Sequence, residues 1–568
     1  MRRPLLIALA VSLVAAVPSS AHVVALPSYL YSHRDMTATP AAFAPRAAAS
    51  CPTKTDPATF ESTQQLLADN QVMSDFGRRP TGSVAQLKFV SWLERKLGAL
   101  RDMQLGAVPY TVDRWVERGA SLRAGAAGAP LARIPISGAV PYAHVTPNRG
   151  APGQLVYLPP GTAIAGQNVK GKIVVRDAVP GSVPFLDLRL VEWTEYDPDH
   201  SLLKDIGGTY ERDFAGYNSR ITDLEDAAQA GASGLIMVHG FPRAQVKGQY
   251  APYEGVHWKV PALYVGADEG QQLKALAAKG GSASISIRAR DVQSPTHTIV
   301  ATLPGISPER MIVESHTDGM NAIWDNGPIA ILALARHFAS LPQQCRPRTL
   351  QFVFTTGHIY QRLLGGIDRG GSSEQVAKQA DKAFDKGTLA MAFASEHLGA
   401  REYAAVPRTD GGPGRVLKQT GRSEINTFFS GESPVLVSAV DQQIVAHNVA
   451  RSFLLRGSDT PASNGLLLPL QNSFGGEGTA YQQHLVPTVA LVAGPWTLYN
   501  PAFGMEAIDG DSMRKQTLVF SDLIHQLAST PTALLGGGYL VERDLRSLIC
   551  ASALATLGFT RCAGDAYG

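Results

Sequence analysis

The stretch from Met311 to Gly327 carries the residues best suited to chemistry. An apolar run ends in His316-Thr317-Asp318, and Asp325 follows in a loop bearing glycine and asparagine. Neutral imidazole and carboxylate are the ligands that divalent zinc takes when one coordination position must stay open. Two more candidate strands end comparably, in Gly357-His358 and in Glu396-His397, while Glu477 stands in a Gly-Gly-Glu-Gly segment before the last candidate strand. Each residue also has a plainer reading. Asp318 could cap the turn at Gly319, His358 could bond within its loop, Glu396 could be a turn carboxylate, and Glu477 could lie on the surface. Trp324 and Tyr499 could line a pocket or fill a core; His337, His397 and His447 read as structural or exposed. No Gly-x-Ser-x-Gly elbow, His-Glu-x-x-His helix or Walker-type loop occurs.

The elements that would position these groups form an alternation after Pro295. Near-continuous apolar runs predict strands at 311–314, 350–355, 389–394 and 488–492, as in a sheet covered on both faces. Helical spacing predicts helices at 329–338, 440–453 and 512–527. The three site segments then lie at strand C-termini, where an open α/β sheet binds its ligands. Upstream, a helix is expected from Asp56-Pro57, with Phe60, Leu66, Leu67 and Val72 on its apolar face. A second helix carries Leu87, Val90, Leu93, Leu97 and Leu100. Residues 115–291 change to short strands between Gly/Pro turns, which reads as a separate β-rich module. The tail, 531–568, is expected as an extension.

Bulk properties narrow the class. At 568 residues the chain can bury a large core and suggests more than one domain. Its 45% hydrophobic and 17% charged content belongs to an ordered globular protein. A net charge of +3 without a dense basic block argues against nucleic acid as the main partner. Residues 1–21 read as a secretory signal, with Arg2-Arg3, an apolar run and a Ser-Ser-Ala cleavage site; residues 22–50 read as a mobile leader. No segment of membrane length follows, so a secreted protein is expected. Four cysteines suit an oxidising compartment, with Cys550 paired to nearby Cys562 and Cys51 to Cys345 by elimination.

Together these motifs resemble a family. Arg79-Pro80-Thr81-Gly82-Ser83 is similar to the Arg-x-Thr-Gly-Ser of secreted zinc exopeptidases, the group that includes bacterial leucyl aminopeptidases, glutamate carboxypeptidase and the non-enzymatic transferrin receptor. Lys170-Gly171-Lys172-Ile173-Val174 and Ala227-Ala228-Gln229-Ala230-Gly231-Ala232 resemble that family's inserted protease-associated domain. The likeness covers residues 56–527. It implies an α/β fold, a mixed and mostly parallel sheet flanked by helices, built from 51–114 and 292–530, with the β-rich protease-associated domain at 115–291. It further implies His316 and Glu396 as metal ligands, Asp318 as the residue orienting His316, and Asp325 as a carboxylate bridging two metals. Departures are equally specific. Gly357 stands where the family has its general-base glutamate, and His358 replaces a second glutamate ligand. Pro495-Trp496-Thr497-Leu498-Tyr499-Asn500 lacks the family's last histidine, and His484 precedes the strand. One zinc is therefore expected; a second would have only the weak shell of Asp325, His358 as a candidate ligand, and water, with Glu477 as the replacement base. The implied activity is exopeptidase-like hydrolysis of a peptide or small amide by zinc-activated water. The alternative is a catalytically degenerate member acting as a binding or structural module. The oligomeric state stays open.

Overall fold

The computed structural model describes residues 50–202, 207–251, 257–359, 371–458, 468–471, 473–557, 559–560 and 562. The expected signal segment and all of the leader but Ser50 lie outside the described residues.

Two helices open the chain, α1 (Thr63–Asp75) and α2 (Val84–Gly98). Ser62 and Ser83 cap them by accepting the N–H groups of Gln65 and Gln86. The helix expected from Asp56 therefore begins later, because Ser62 captures the start. The strands follow as β1 (Gln104–Gly125), β2 (Ala151–Leu158), β3 (Ile173–Ala178), β4 (Gly234–His239), β5 (Ala262–Val265) and β6 (Ser282–Leu303). After them come β7 (Ser307–His316), β8 (Arg348–Thr355), β9 (Leu389–Ser395), β10 (Asn426–Ser430), β11 (Ser452–Leu455) and β12 (Thr488–Val492). Helices α3 (Gly327–Ser340), α4 (Gly371–Asp385), α5 (Pro434–Ala446), α6 (Gly510–Leu527) and α7 (Gly538–Cys550) complete the framework.

The sheet runs β5-β4-β3-β2-β6-β8-β7-β9-β12-β10-β11, with Gly138–Ala139 and Glu192–Tyr196 at its two edges. Its centre, β8-β7-β9-β12, is parallel throughout. Every residue of β9 is buried, as a strand with both faces covered requires. Register places His316 opposite Thr355 and Glu314 opposite Ala394, which brings the three site segments to one edge.

Two hydrophobic cores share this sheet. One gathers α1, α2, α3, α6 and the central strands; the other lies within residues 112–287. Strands β1 and β6 pair antiparallel along their length, and β6 contributes to both cores. The expected boundaries near 115 and 291 thus fall inside continuous strands. Nor does the 115–291 region stay on its own side. Phe185 and Leu202 pack with Ala394, Phe429, Phe453 and Ala490, while Glu192–Tyr196 pairs with β11. The region also contains helices Tyr217–Gln229 and Ala267–Ala278.

Two expectations shift for local reasons. The helix expected at 440–453 begins instead at Pro434, where Ser433 caps Leu436 N–H and proline fits the first turn. It stops at Ala446, short of Asn448 at φ +49°, and β11 follows. The tail forms α7, whose buried face is Glu542, Arg543 and Arg546 while Val541, Leu545 and Leu548 face outward. Both disulfides join the expected partners, Cys51–Cys345 and Cys550–Cys562.

Candidate metal centre

His316 ends β7 and is fully buried. Its Nδ1 lies 2.9 Å from the backbone carbonyl of Asp318. A carbonyl only accepts, so Nδ1 carries a hydrogen and Nε2 is the nitrogen left to take a proton or a metal. The orienting bond thus comes from the Asp318 main chain, whose nearer carboxylate oxygen is 3.9 Å from the same nitrogen. That carboxylate is instead held in place, accepting from the Thr81 hydroxyl (2.5 Å) and the Ile359 N–H (3.0 Å).

Glu396 follows β9, beside β7. Its Oε2 is 3.4 Å from His316 Nε2 and 3.8 Å from His397 Nε2, while its Oε1 accepts the Glu477 backbone N–H. Gly476 is what allows this approach: a Cβ there would collide with the Glu396 carboxylate. From sequence His397 reads as structural or exposed. The structure instead turns it inward, at φ +57°, with Nδ1 donating to the Ala493 carbonyl at 2.6 Å. A bulky side chain in the left-handed region marks a locally over-determined position. The pattern signal that could have exposed it is the adjacency to Glu396 at a strand end.

Both imidazoles therefore have Nδ1 engaged, and neither Nε2 has a hydrogen-bond partner among the described residues. Both face one carboxylate oxygen. The donor atoms of His316, Glu396 and His397 lie within 4.8 Å of one another, as do those of His316, His358 and Glu477. The His316 and His358 rings, however, stack at 4.0 Å with 11° between their planes. In-plane lone pairs of parallel stacked rings do not converge, so the first group suits one ion better. His358 Nδ1 meets Glu477 Oε1 at 2.8 Å, and its side chain, 22% exposed, is the most open of the cluster.

Electrostatics agree with a cation-binding cluster. Burial alone would lower the His316 pKa, but Glu396, Glu477 and Asp318 override it and raise it to about 10. Burial would raise Glu396, yet His316, His358 and His397 bring it down to about 2. Burial lowers His397 to about 4. A proton on His316 thus balances the carboxylates where a metal would. One zinc fits this donor set.

Asp325 does not join it. Arg79 pairs with both of its oxygens, Nε–Oδ2 and Nη2–Oδ1 at 2.6 Å each, so the expected bridging role between two metals is not supported. Trp324 is core, and His484 bonds Glu374 at 2.9 Å, away from the cluster. Behind the site, Tyr481 donates to Glu314, whose carboxyl is raised well above its usual range by burial and by Glu477. Next in sequence to Asp318, Asp325 and His358, the residues Met320, Trp324, Ile359 and Leu498 form a buried apolar cluster, against which Phe214 and Tyr250 pack. A cavity of about 280 Å³ against the Cys51–Cys345 disulfide holds none of the candidate ligands.

No family model matches the sequence, and no curated protein matches it. Solved structures do match. A zinc aminopeptidase from Bacillus subtilis superposes with a TM-score of 0.54 at 13% identity, covering 84% of this chain and 96% of that one. A peptidase M28 precursor from Shewanella amazonensis gives 0.55 at 16% identity, covering 82% and 96%. The chain has a zinc-exopeptidase fold. Identities this low speak for the fold alone.

Proposed function

We propose that this protein is a secreted zinc-dependent hydrolase of peptide or small amide bonds, with exopeptidase-like specificity. The observation that carries the reading is the convergence of two bare imidazole nitrogens, His316 Nε2 and His397 Nε2, on Glu396 Oε2 inside a zinc-exopeptidase fold. His316, Glu396 and His397 would hold the ion. Bound zinc supplies Lewis acidity, polarising a carbonyl oxygen and making water more acidic. The carbonyls of Asp318 and Ala493 keep both rings in the ligating tautomer.

Glu477 is the general base in this reading. It takes a proton from the attacking water and returns it to the leaving amine, standing in for the acid absent at Gly357. His358 holds the Glu477 carboxylate through their 2.8 Å contact and borders solvent. The buried cluster of Met320, Trp324, Ile359 and Leu498 keeps water from the far side. Two disulfides, and the absence among the described residues of any helix able to cross a membrane, fit an exported protein. The region 115–291 is assigned as a protease-associated domain that closes one side of the site through Phe214 and Tyr250.

A non-catalytic binding module is the second reading, favoured by Gly357 and by the engagement of Asp325 with Arg79. Chelator-sensitive release of an amino acid from short peptides and amino-acid amides decides between them. Release that ceases in Glu477→Gln supports the hydrolase; zinc uptake without turnover of any such substrate leaves the binding module.

A further inference from the structure

We infer that this centre holds a single cation, because the Arg79 guanidinium permanently takes the place a second would need beside Asp325. The inference rests on the metal-centre reading above and adds the ion count and the residue that fixes it.

Arg79 and Asp325 are both fully buried. Their two parallel bonds of 2.6 Å engage each carboxylate oxygen with a fixed positive charge. The rest of the guanidinium is committed too: Nη1 donates to the carbonyls of Met73 (2.9 Å) and Gly77, and Nη2 to Asn321 (2.6 Å). Its backbone is pinned as well, because Arg79 and Gly319 exchange N–H···O bonds of 2.8 and 3.2 Å. Gly319 in turn faces the Asp325 carboxylate where a Cβ would collide. Swinging Arg79 away would break this set and leave a buried charge unpaired on each side.

A dication approaching Asp325 would meet a guanidinium already bound to both oxygens in a water-poor interior, where like charges repel strongly. Moreover, Asp325 is in neither of the groups whose donor atoms converge. The other donors near the cluster, His358 Nδ1 and Glu477 Oε1 at 2.8 Å, converge with His316 and not with Asp325, and the His358 ring stacks on that of His316. Arg79 thus supplies the counter-charge to Asp325 in this structure.

The test is zinc stoichiometry and affinity of the full chain, by elemental analysis after loading and by competition with a chromophoric chelator, for wild type, Asp325→Asn and His316→Ala. One zinc per wild-type chain, kept at unchanged affinity by Asp325→Asn and lost by His316→Ala, is the expected result. Two zinc ions per chain, or an affinity loss of about tenfold or more in folded Asp325→Asn, overturns the inference while leaving the metal centre standing. No zinc in wild type removes the metal-centre reading itself, and the inference with it. Should Asp325→Asn fail to fold, the wild-type count decides alone.

Discussion

At the residue scale, Glu477 and Glu396 are tied by more than proximity. The backbone N–H of the proposed base bonds the carboxylate of the proposed ligand, so one displacement disturbs both. Glu477→Gln keeps the shape but cannot accept a proton. Its hydrolysis rate should fall by about 10²–10⁴-fold while zinc content stays at the wild-type level, as steady-state rates and elemental analysis would show. Gly476→Ala would push a methyl into Glu396; zinc affinity should drop by about 10–100-fold in chelator competition, with the fold retained by circular dichroism. His316 adds a pH signature. With its pKa raised to about 10 in the metal-free protein, zinc must displace a proton at neutral pH. Affinity should therefore rise with pH between 6 and 8, and calorimetry in buffers of different ionisation enthalpy should report proton release.

At the element scale, parallel strands β7, β8 and β9 bring distant segments together, and α3 and α6 cover one face. His337 of α3 and His525 of α6 approach Nε2 to Nε2 at 2.9 Å. Burial lowers both to about 4, with Asp522 opposing. The unfolded chain then binds protons more readily than the folded one, so this contribution to stability is full above about 6.5 and is lost as pH falls towards 4. Denaturant midpoints should decline over that window, and His525→Gln should flatten the decline. The strands were legible in sequence because unbroken apolar runs leave little alternative. His316 and Glu396 could be singled out because each follows an apolar strand run, and Glu477 because of its glycine loop before the last strand. Arg79 could not: a charged residue in a Gly/Pro turn looks exposed, and only the fold reveals Asp325 against it. His397 had only its adjacency to Glu396 to point to it, because its inward turn depends on a left-handed backbone. Helix α7 escaped because its polar residues face inward and its leucines outward.

At the scale of the whole molecule, residues 115–291 and the C-terminal helix both pack back onto the central sheet. Arg543 and Arg546 of α7 close on Asp381 of α4, at 2.5 and 2.9 Å, with all three buried. Asp381→Ala would leave two arginines short of a carboxylate at a cost of about 3–5 kcal/mol, and amide exchange should show α7 opening before the central sheet. The site depends on long-range placement in the same way, since β6 continues from one core into the other and the buried apolar cluster packs against Phe214 and Tyr250. All of this scaffolding serves one convergence of ligand atoms. Isothermal titration of zinc into the metal-free full chain, beside His316→Ala, tests it most directly. The account predicts saturable binding in the wild type that disappears in the folded variant; a wild-type chain that stays folded and takes up no zinc would contradict it.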